Sequence, residues 1–339
     1  MITHRNLVYA LRLAEYGSYR RAAEALNITH SALVRSIKVL ENHLDVTLFN
    51  RGGGVKVTPT KIGEVFIGYA REIYYREEDL LREIQLMKGA AKGELRVAFG
   101  PYASKLCGHS ALKNLVKKHP ELKVKATVLH HLKVIDMVME RDADVGIVFA
   151  GNLKADGDFT IKPLGRHISV FFCRPGHPLL DRHDLSQANL YEYPWACTRL
   201  PKAFSQHLPK NLNKAGSLDP LTGEFIPSMQ LDTLHEIVKI VASSDILGIG
   251  GLMMCIEEVK RGELAVLPYH EKWMRTAYSI IHLKHRTLSP PETAFIDEVL
   301  TIERGLDDEE PAYASELLGD YFDHQKLYGD YNLVNFYEP

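Results

Sequence analysis

The chain has 339 residues, 45% of them hydrophobic and 25% charged, which leaves room for about two domains and excludes wholesale disorder, collagen and coiled-coil fibre. A net charge of −2 excludes a molecule that is polybasic or polyacidic throughout, but the charge is unevenly spread. Residues 1–64 sum to +4 and residues 305–339 to −8, with a nearly neutral body between, so different partners are expected for head, body and tail.

Leu7, Val8, Leu11 and Ala14 form the apolar stripe of a short amphipathic helix that Gly17 terminates. Ser18 is placed to cap a second helix, Tyr19 to Leu26, on which Ala22 and Ala23 are small enough for another helix to cross closely. Asn27 suits a left-handed turn, and Thr29 caps a third helix running to about His43. Ala32, Leu33, Ile37, Leu40 and Leu44 form the buried side of that helix, with Ser31, Val34, Arg35 and Lys38 on the other. Two short helices joined by a short turn, the second presenting polar and basic groups, make a helix-turn-helix. Leu48 to Pro59, with Gly52, Gly53 and Gly54 at its centre, reads as a hairpin wing carrying Arg51 and Lys56 at its base. Any one of these charges alone reads as solvated surface; nine Lys and Arg on so small a unit point to phosphate contact.

In its first sixty residues the chain resembles LysR-type transcriptional regulators. The resemblance is carried by Glu15-Tyr16-Gly17-Ser18, Ala22-Ala23, Leu26, Ala32-Leu33, Arg35, Ile37, Leu40-Glu41, Leu44, Leu48-Phe49, Arg51, Thr58 and Gly63. It implies a winged helix-turn-helix whose third helix enters the major groove of promoter DNA. The chain departs from that pattern at Thr29-His30, Ser31, Val34 and Asp45, where Ser-Gln, Pro, Ser and Gly are usual. The expected DNA-binding residues are Ser18, Arg20, Arg21, Thr29, His30, Ser31, Val34, Arg35, Lys38, Arg51 and Lys56. Arg35 is suited to a bidentate guanine contact and Val34 to a thymine methyl. His30 either donates to a base or phosphate or lies near solvent at the helix start.

From Pro59, read as a first helical residue, Ile62, Phe66, Tyr69, Ile73, Leu80, Ile84 and Met87 keep a spacing of three to four over about thirty residues. A helix with no body of its own to pack on suggests a dimer seam; the alternative is a helix lying on the body. Residues 89–93 read as a hinge. Beyond it come strand Leu95–Phe99, helix Ser104–Lys118, strand Leu122–Leu129, helix Val134–Arg141 and strand Val145–Phe149, a βαβαβ series implying a parallel sheet covered on both faces. A second series runs through Ile168–Cys173, a helix at Leu234–Ala242, Leu247-Gly248-Ile249-Gly250, a following helix and Ala265–Leu267. Tyr278–Leu283 and a helix Glu292–Arg304 return to the first half. Arg141 to Ile147, Gly176-His177-Pro178-Leu179 and Gly262-Glu263-Leu264 are further landmarks. Together these resemble the LysR effector domain, two α/β lobes around a cleft like a periplasmic binding protein. The expected fold class is therefore mixed: a mostly α winged helix-turn-helix, a long linker helix and a two-lobed α/β effector domain. The expected boundaries are 1–60, 61–93, 94–304 and a tail 305–339.

Ligands in such sheets sit beyond strand carboxyl ends, near free helix N–H groups. Tyr102-Ala103-Ser104 is the candidate anion cradle, joined by His130, Ala150, Gly151, Thr198, Arg199 and Gly250; Ser104 also reads as an ordinary helix cap. His130 and His131, adjacent on an extended segment, are expected to point to opposite faces and not to share a metal. No metal or cofactor is expected, and no catalytic residue: no Walker loop, HExxH or GxSxG occurs. The expected partners are promoter DNA, a small-molecule effector of organic-anion type and a second copy, as dimer or dimer of dimers, with RNA polymerase as a further partner; no membrane partner is expected. Three rival readings are an α/β enzyme, a solute-binding protein and a thiol sensor using Cys197. Cys107, Cys173, Cys197 and Cys255 form no CxxC pair, so no disulfide framework or zinc ribbon is indicated. No apolar run approaches about 18 residues, and the amino end lacks a signal peptide's apolar core, so the cytoplasm is the expected compartment.

The tail combines Asp307-Asp308-Glu309-Glu310 with Tyr313, Tyr321, Phe322, Tyr328, Tyr331, Phe336 and Tyr337. Acid alone reads as a solvated, disordered segment. The aromatic density instead suggests docking on the body or a partner subunit, with Glu316 to Leu327 as a short helix. In a variant of this reading the tail's charge competes with DNA for the head.

Overall fold

The computed structural model describes residues 2–50, 56–87, 94–149, 151, 153, 157–284 and 286–319. The chain divides into two compact units, residues 1–90 and 91–339. In the first, α1 (His4–Tyr16), α2 (Tyr19–Ala25) and α3 (His30–Leu44) are followed by β1 (Phe49–Asn50) paired antiparallel with β2 (Thr58–Pro59), then α4 (Lys61–Met87). Each of the first three helices opens on a hydroxyl that satisfies a free backbone N–H: Thr3 accepts from Asn6, Ser18 from Arg21 and Thr29 from Ala32. Gly17 and Asp45 end α1 and α3 in the left-handed region, with φ of 60° and 54°. Aspartate is among the few non-glycine residues that adopt this conformation readily, so the departure at position 45 leaves the turn intact. Ala10, Leu13, Ala22, Ala23, Leu33, Ile37, Leu40, Leu48 and Phe49 form one core. The buried Glu41 carboxylate accepts from the N–H groups of Leu48 (2.8 Å) and Phe49 (3.2 Å), tying the wing strand to α3.

Three expectations for this unit change. Ala32 is exposed, not part of the buried side. Pro59 lies in β2, and α4 starts two residues later because the Thr60 hydroxyl accepts from Gly63 N–H (3.0 Å) and acts as the cap. The helix also has a body to pack on: Ile67 and Ala70 are buried against the first unit's core. The Gly52–Gly54 wing tip, the 89–93 hinge and the side chain of Met87 lie outside the described residues.

The second unit begins with β3 (Glu94–Phe99), α5 (Pro101–Ala103), a π turn (Ser104–Gly108), α6 (His109–Lys118), β4 (Lys123–Val128), α7 (His131–Met139) and β5 (Val145–Val148). β6 (Phe159–Cys173), α8 (Gln187–Leu190), β7 (Trp195–Cys197), α9 (Lys202–Ser205) and the hairpin β8 (Gly216–Leu218) with β9 (Phe225–Pro227) follow. The chain then continues through β10 (Met229–Gln230), α10 (Leu234–Ala242), β11 (Leu247–Gly251), α11 (Leu252–Lys260), β12 (Ala265–Val266), β13 (Arg275–Leu283) and α12 (Pro290–Leu318). Among the described residues the sheet order is β10-β7-β11-β6-β13-β5-β3-β4, with β12 also on β6. β3 pairs parallel with β4 and β5, and β7 with β10 and β11, whereas β13 and β6 run antiparallel to their neighbours. β6 belongs to both lobes: residues 159–168 pair with β13, and residues 169–173 with β11 and β12.

The landmark residues are structural. Asp144 is buried and accepts from Arg96 N–H (2.9 Å) and from the guanidinium groups of Arg96 and Arg286 (both 2.7 Å). His177, fully buried, accepts from Leu179 N–H through Nδ1 (3.1 Å) and stands edge-on to Tyr193. Gly248 is where β11 meets Phe172; an added Cβ would lie 2.0 Å from that ring.

The last helix does not close at Arg304. It runs on through Pro311 to Leu318, burying Ala314 and Leu318 in the body's core. Residues 305–318 are therefore part of the second unit's body, not a separate acidic tail; 320–339, with most of the tail aromatics, lie outside the described residues. Glu303 and Glu310, two turns apart on one face, reach the midpoint of β6. Glu303 accepts from Gly165 N–H (3.2 Å) and meets His167 Nε2 (3.0 Å). Glu310 accepts from Ile168 N–H (3.2 Å) and lies 3.7 Å from His167 Nδ1. Burial alone would lower the His167 pKa, but the two carboxylates outweigh it and hold it at about 10. Burial also raises the Asp307 carboxyl, one turn from each.

An imidazole whose pKa is higher folded than unfolded stabilises fully below its ordinary value of about 6.5 and loses that contribution as pH climbs through about 10. Urea melts across this window should show stability falling as pH rises. His167→Leu should lose about 3–5 kcal/mol at neutral pH, because two buried carboxylates lose their cation, and should flatten the alkaline slope. A variant that keeps the parent's slope would take His167 out of the account.

Candidate functional site

In the first unit, α3 presents Ser31, Arg35 and Lys38 to solvent, with Val34 half-buried between them. His30 opens the helix, its ring edge-on to Tyr19 at 6.1 Å. The Thr29 hydroxyl is held locally, by Ala32 N–H and the Ser31 hydroxyl, both at 3.2 Å. On α2 the Ser18 hydroxyl caps Arg21 N–H, Arg20 pairs with Glu24 at 3.3 Å, and the Arg21 guanidinium lies 5.8 Å from the Tyr16 ring centroid. Lys56 is exposed beside the end of α1: Val57 N–H donates to Gly17 O (2.9 Å), and a Cβ at Gly17 would meet the Lys56 stem at 2.5 Å. Position 17 therefore needs glycine for its positive φ, while the exposed Lys56 stem that crosses it is flexible enough to give way. Arg51 lies outside the described residues.

The second unit holds a cavity of about 570 Å³ between its lobes. Of the cleft residues expected from the sequence, Tyr102, His130, Gly151, Thr198, Arg199 and Gly250 line it. Ala103 and Ser104 do not. The chain passes from α5 into the π turn there, which puts Ala103 in the core and turns the buried Ser104 hydroxyl to His109 Nε2 (3.2 Å), so Ser104 is not a helix cap facing the cleft. Ala150 lies outside the described residues. Tyr102 spans the lobes: its hydroxyl donates to Ile249 O (3.1 Å) and accepts from Thr198 N–H (3.4 Å). On the floor, where β6 changes neighbours, the hydroxyls of Ser169 and Thr276 meet at 2.9 Å.

Several lining residues escape sequence reasoning. Arg166 comes from β6; Lys272, Trp273 and Arg275 come from β13 and the chain before it; Lys202, Phe204 and His207 come from α9 and just beyond. Trp273 stands edge-on to Phe204 (5.0 Å) and stacks on His207 (5.3 Å). Starting the last strand at Tyr278, three residues after its observed start, is what leaves Arg275 out. Arg166, Arg199, Lys202, Lys272 and Arg275 thus face one cavity that no carboxylate lines among the described residues.

The expectation for the histidine pair is overturned. His130 is the residue before α7 and His131 its first, so the backbone turns between them and brings their ring centroids to 4.1 Å. Both approach the buried Glu224. Burial lowers the pKa of His130, and burial with the neighbouring His130 and Arg199 lowers that of His131 to about 4, so both rings are neutral at pH 7. Cys107, Cys173, Cys197 and Cys255 are all buried free thiols. Burial raises the pKa of each, which disfavours the thiolate a thiol sensor needs.

Residues 4–64 match the family described as bacterial regulatory helix-turn-helix protein, lysR family, and residues 88–302 match the LysR substrate binding domain. Over 294 residues the chain is 32% identical to the SDS degradation transcriptional activation protein of Pseudomonas sp., covering 86% of this chain and 93% of that one. It is 29% identical over 284 residues to the uncharacterised HTH-type transcriptional regulator YbhD of Escherichia coli, covering 84% and 86%. Its fold is similar to that of ArgP from Mycobacterium tuberculosis, with a TM-score of 0.62 over 90% of this chain and 98% of that one at 16% identity. The chain belongs to the LysR family. It is a DNA-binding transcriptional regulator with an effector-binding domain, not an enzyme. No helix among the described residues is long and apolar enough to cross a membrane.

Proposed function

We propose that this regulator reads promoter DNA with α3 and the wing, acts as a dimer or dimer of dimers through α4, and answers to an amphiphilic organic anion in its cleft. The carrying observation is the cavity itself: five cationic side chains, no lining carboxylate among the described residues, and a wall of aromatic rings. Charged and apolar groups sharing one cleft suit a ligand with an anionic head and an apolar body. The name of the Pseudomonas relative supports the same class, because SDS is a sulfate ester on a long alkyl chain. The working division is 1–60 for DNA, 61–93 for pairing and hinge, and the remainder for the effector, with 305–318 included in it. A cytoplasmic location and contact with RNA polymerase belong with this reading.

Octyl sulfate below its denaturing concentration, octanol and inorganic sulfate separate head from tail in calorimetric titration. Octyl sulfate should bind tightest of the three, and Lys202→Ala with Lys272→Ala should weaken it about tenfold, the loss of roughly one charge-assisted contact. Octanol binding as well as octyl sulfate would remove the anion from the reading.

For DNA, Arg35→Ala should reduce discrimination between operator and mutated operator by about 1–3 kcal/mol. Lys56→Ala should weaken binding to all sequences alike and lower the salt slope by about one. Titrations at several salt concentrations check this; equal, sequence-independent losses would take Arg35 out of direct readout.

For assembly, Tyr69 and Ile73 are 66% and 52% exposed on α4, and Ile62, Val65, Leu80 and Ile84 are exposed with them. So much apolar surface on one helix calls for a partner. Ile73→Glu should shift light scattering toward the monomer and abolish tight operator binding. A variant still dimeric and binding normally would place the seam elsewhere.

A further inference from the structure

We propose that His130, His131 and Glu224 form a binding site for a divalent d-block cation of the zinc class, set across the two lobes at one edge of the cleft. Glu224 Oε1 lies 3.6 Å from His130 Nε2 and 3.5 Å from His131 Nε2, and one ligand atom from each of the three residues lies within 4.8 Å of the others. Those separations are long for hydrogen bonds. They are close to the ligand-to-ligand edge of about 3.3–3.4 Å in a tetrahedron with metal–nitrogen and metal–oxygen bonds near 2.0–2.1 Å. His130 Nε2 is shut off from solvent and has no hydrogen-bond partner. A buried ring nitrogen left this way is costly, and a metal ion satisfies it through its lone pair.

The carboxylate is held for the same task. Its other oxygen, Oε2, accepts from the Thr222 hydroxyl (3.4 Å) and pairs with Arg199 Nε (3.4 Å), leaving Oε1 turned to the histidines. Groups that orient a ligand from behind in this way are a regular part of metal sites. Arg199 is itself paired with Asp219, so its charge is shared between two carboxylates and opposes a dication less than an unpaired guanidinium would. His130 and His131 line the cavity and Glu224 does not, so a fourth ligand arrives from the cleft. The histidines belong to the lobe of β4 and α7 and the glutamate to the lobe of β9, so the ion holds the lobes at this separation and biases their equilibrium by its preference for it.

The test needs no effector, so it stands apart from the anion reading. Full-length protein stripped with a chelator is titrated with zinc chloride against a chromophoric chelator, and with Co²⁺ as a spectroscopic probe. One ion per chain is expected, with Co²⁺ giving the intense ligand-field bands of a tetrahedral site. His130→Gln, His131→Gln and Glu224→Gln should each weaken Zn²⁺ at least about tenfold, the scale of loss on disturbing a metal's supporting residues. Glu224 is buried, and replacing it puts folding at risk. The deciding variant is therefore His130→Gln, whose ring is part-exposed, with its fold checked by thermal melt. The proposal is overturned if the parent takes up no Zn²⁺, or if folded His130→Gln binds as the parent does with an unchanged Co²⁺ spectrum.

Discussion

One strand has to serve two sheets. Phe159–Cys173 gives its first ten residues to β13 and its last five to β11 and β12, so its midpoint is bordered by different neighbours on either side. The backbone N–H groups of Gly165 and Ile168 at that midpoint are taken by Glu303 and Glu310, with the His167 imidazolium between the two carboxylates. Arg166 and Ser169, on the same stretch, face the cavity. The cleft floor is thus held in place by a helix from the end of the chain, and the charge cluster that holds it contains no residue of the cavity wall.

The head is legible in the sequence because its determinants are local. Ser18, Thr29, Gly17 and Asn27 act on bonds within three or four residues of themselves, and the structure finds them in those roles. The longer strands and helices of the body are legible for the same reason, each apolar run being long enough to declare its period, whereas the short α8, α9, β8, β9 and β10 are not. What escapes depends on partners far away in sequence. His130 and His131 read as an extended pair because nothing nearby signals the turn into α7, and nothing at all signals Glu224. Glu303 and Glu310 look like solvated charge because His167, which they bury against, lies before the whole second lobe. Pro311 argues for a helix end, yet packing of Ala314 and Leu318 into the core offsets one lost hydrogen bond.

Polar groups in the cleft fall into two kinds. Tyr102, Ser169 and Thr276 are engaged with one another or with the backbone and set the shape of the cavity. The five cations set its sign. Trp273, stacked on His207 and abutting Phe204, supplies the flat apolar wall between them. On the proposed reading, a ligand here would be held by charge at one end and by area at the other, and the two contributions respond differently to salt: screening weakens the first and leaves the second nearly untouched.

Tyr102 joins the lobes through a hydroxyl that donates to the main-chain carbonyl of Ile249 and accepts from the main-chain amide of Thr198. Every residue except proline carries that amide, and every residue carries that carbonyl. Both backbone partners remain when the side chains at 198 and 249 change, whereas loss of the hydroxyl at 102 removes the link. Inheritance of this one hydroxyl link, among the several contacts between the lobes, is concentrated in a single codon.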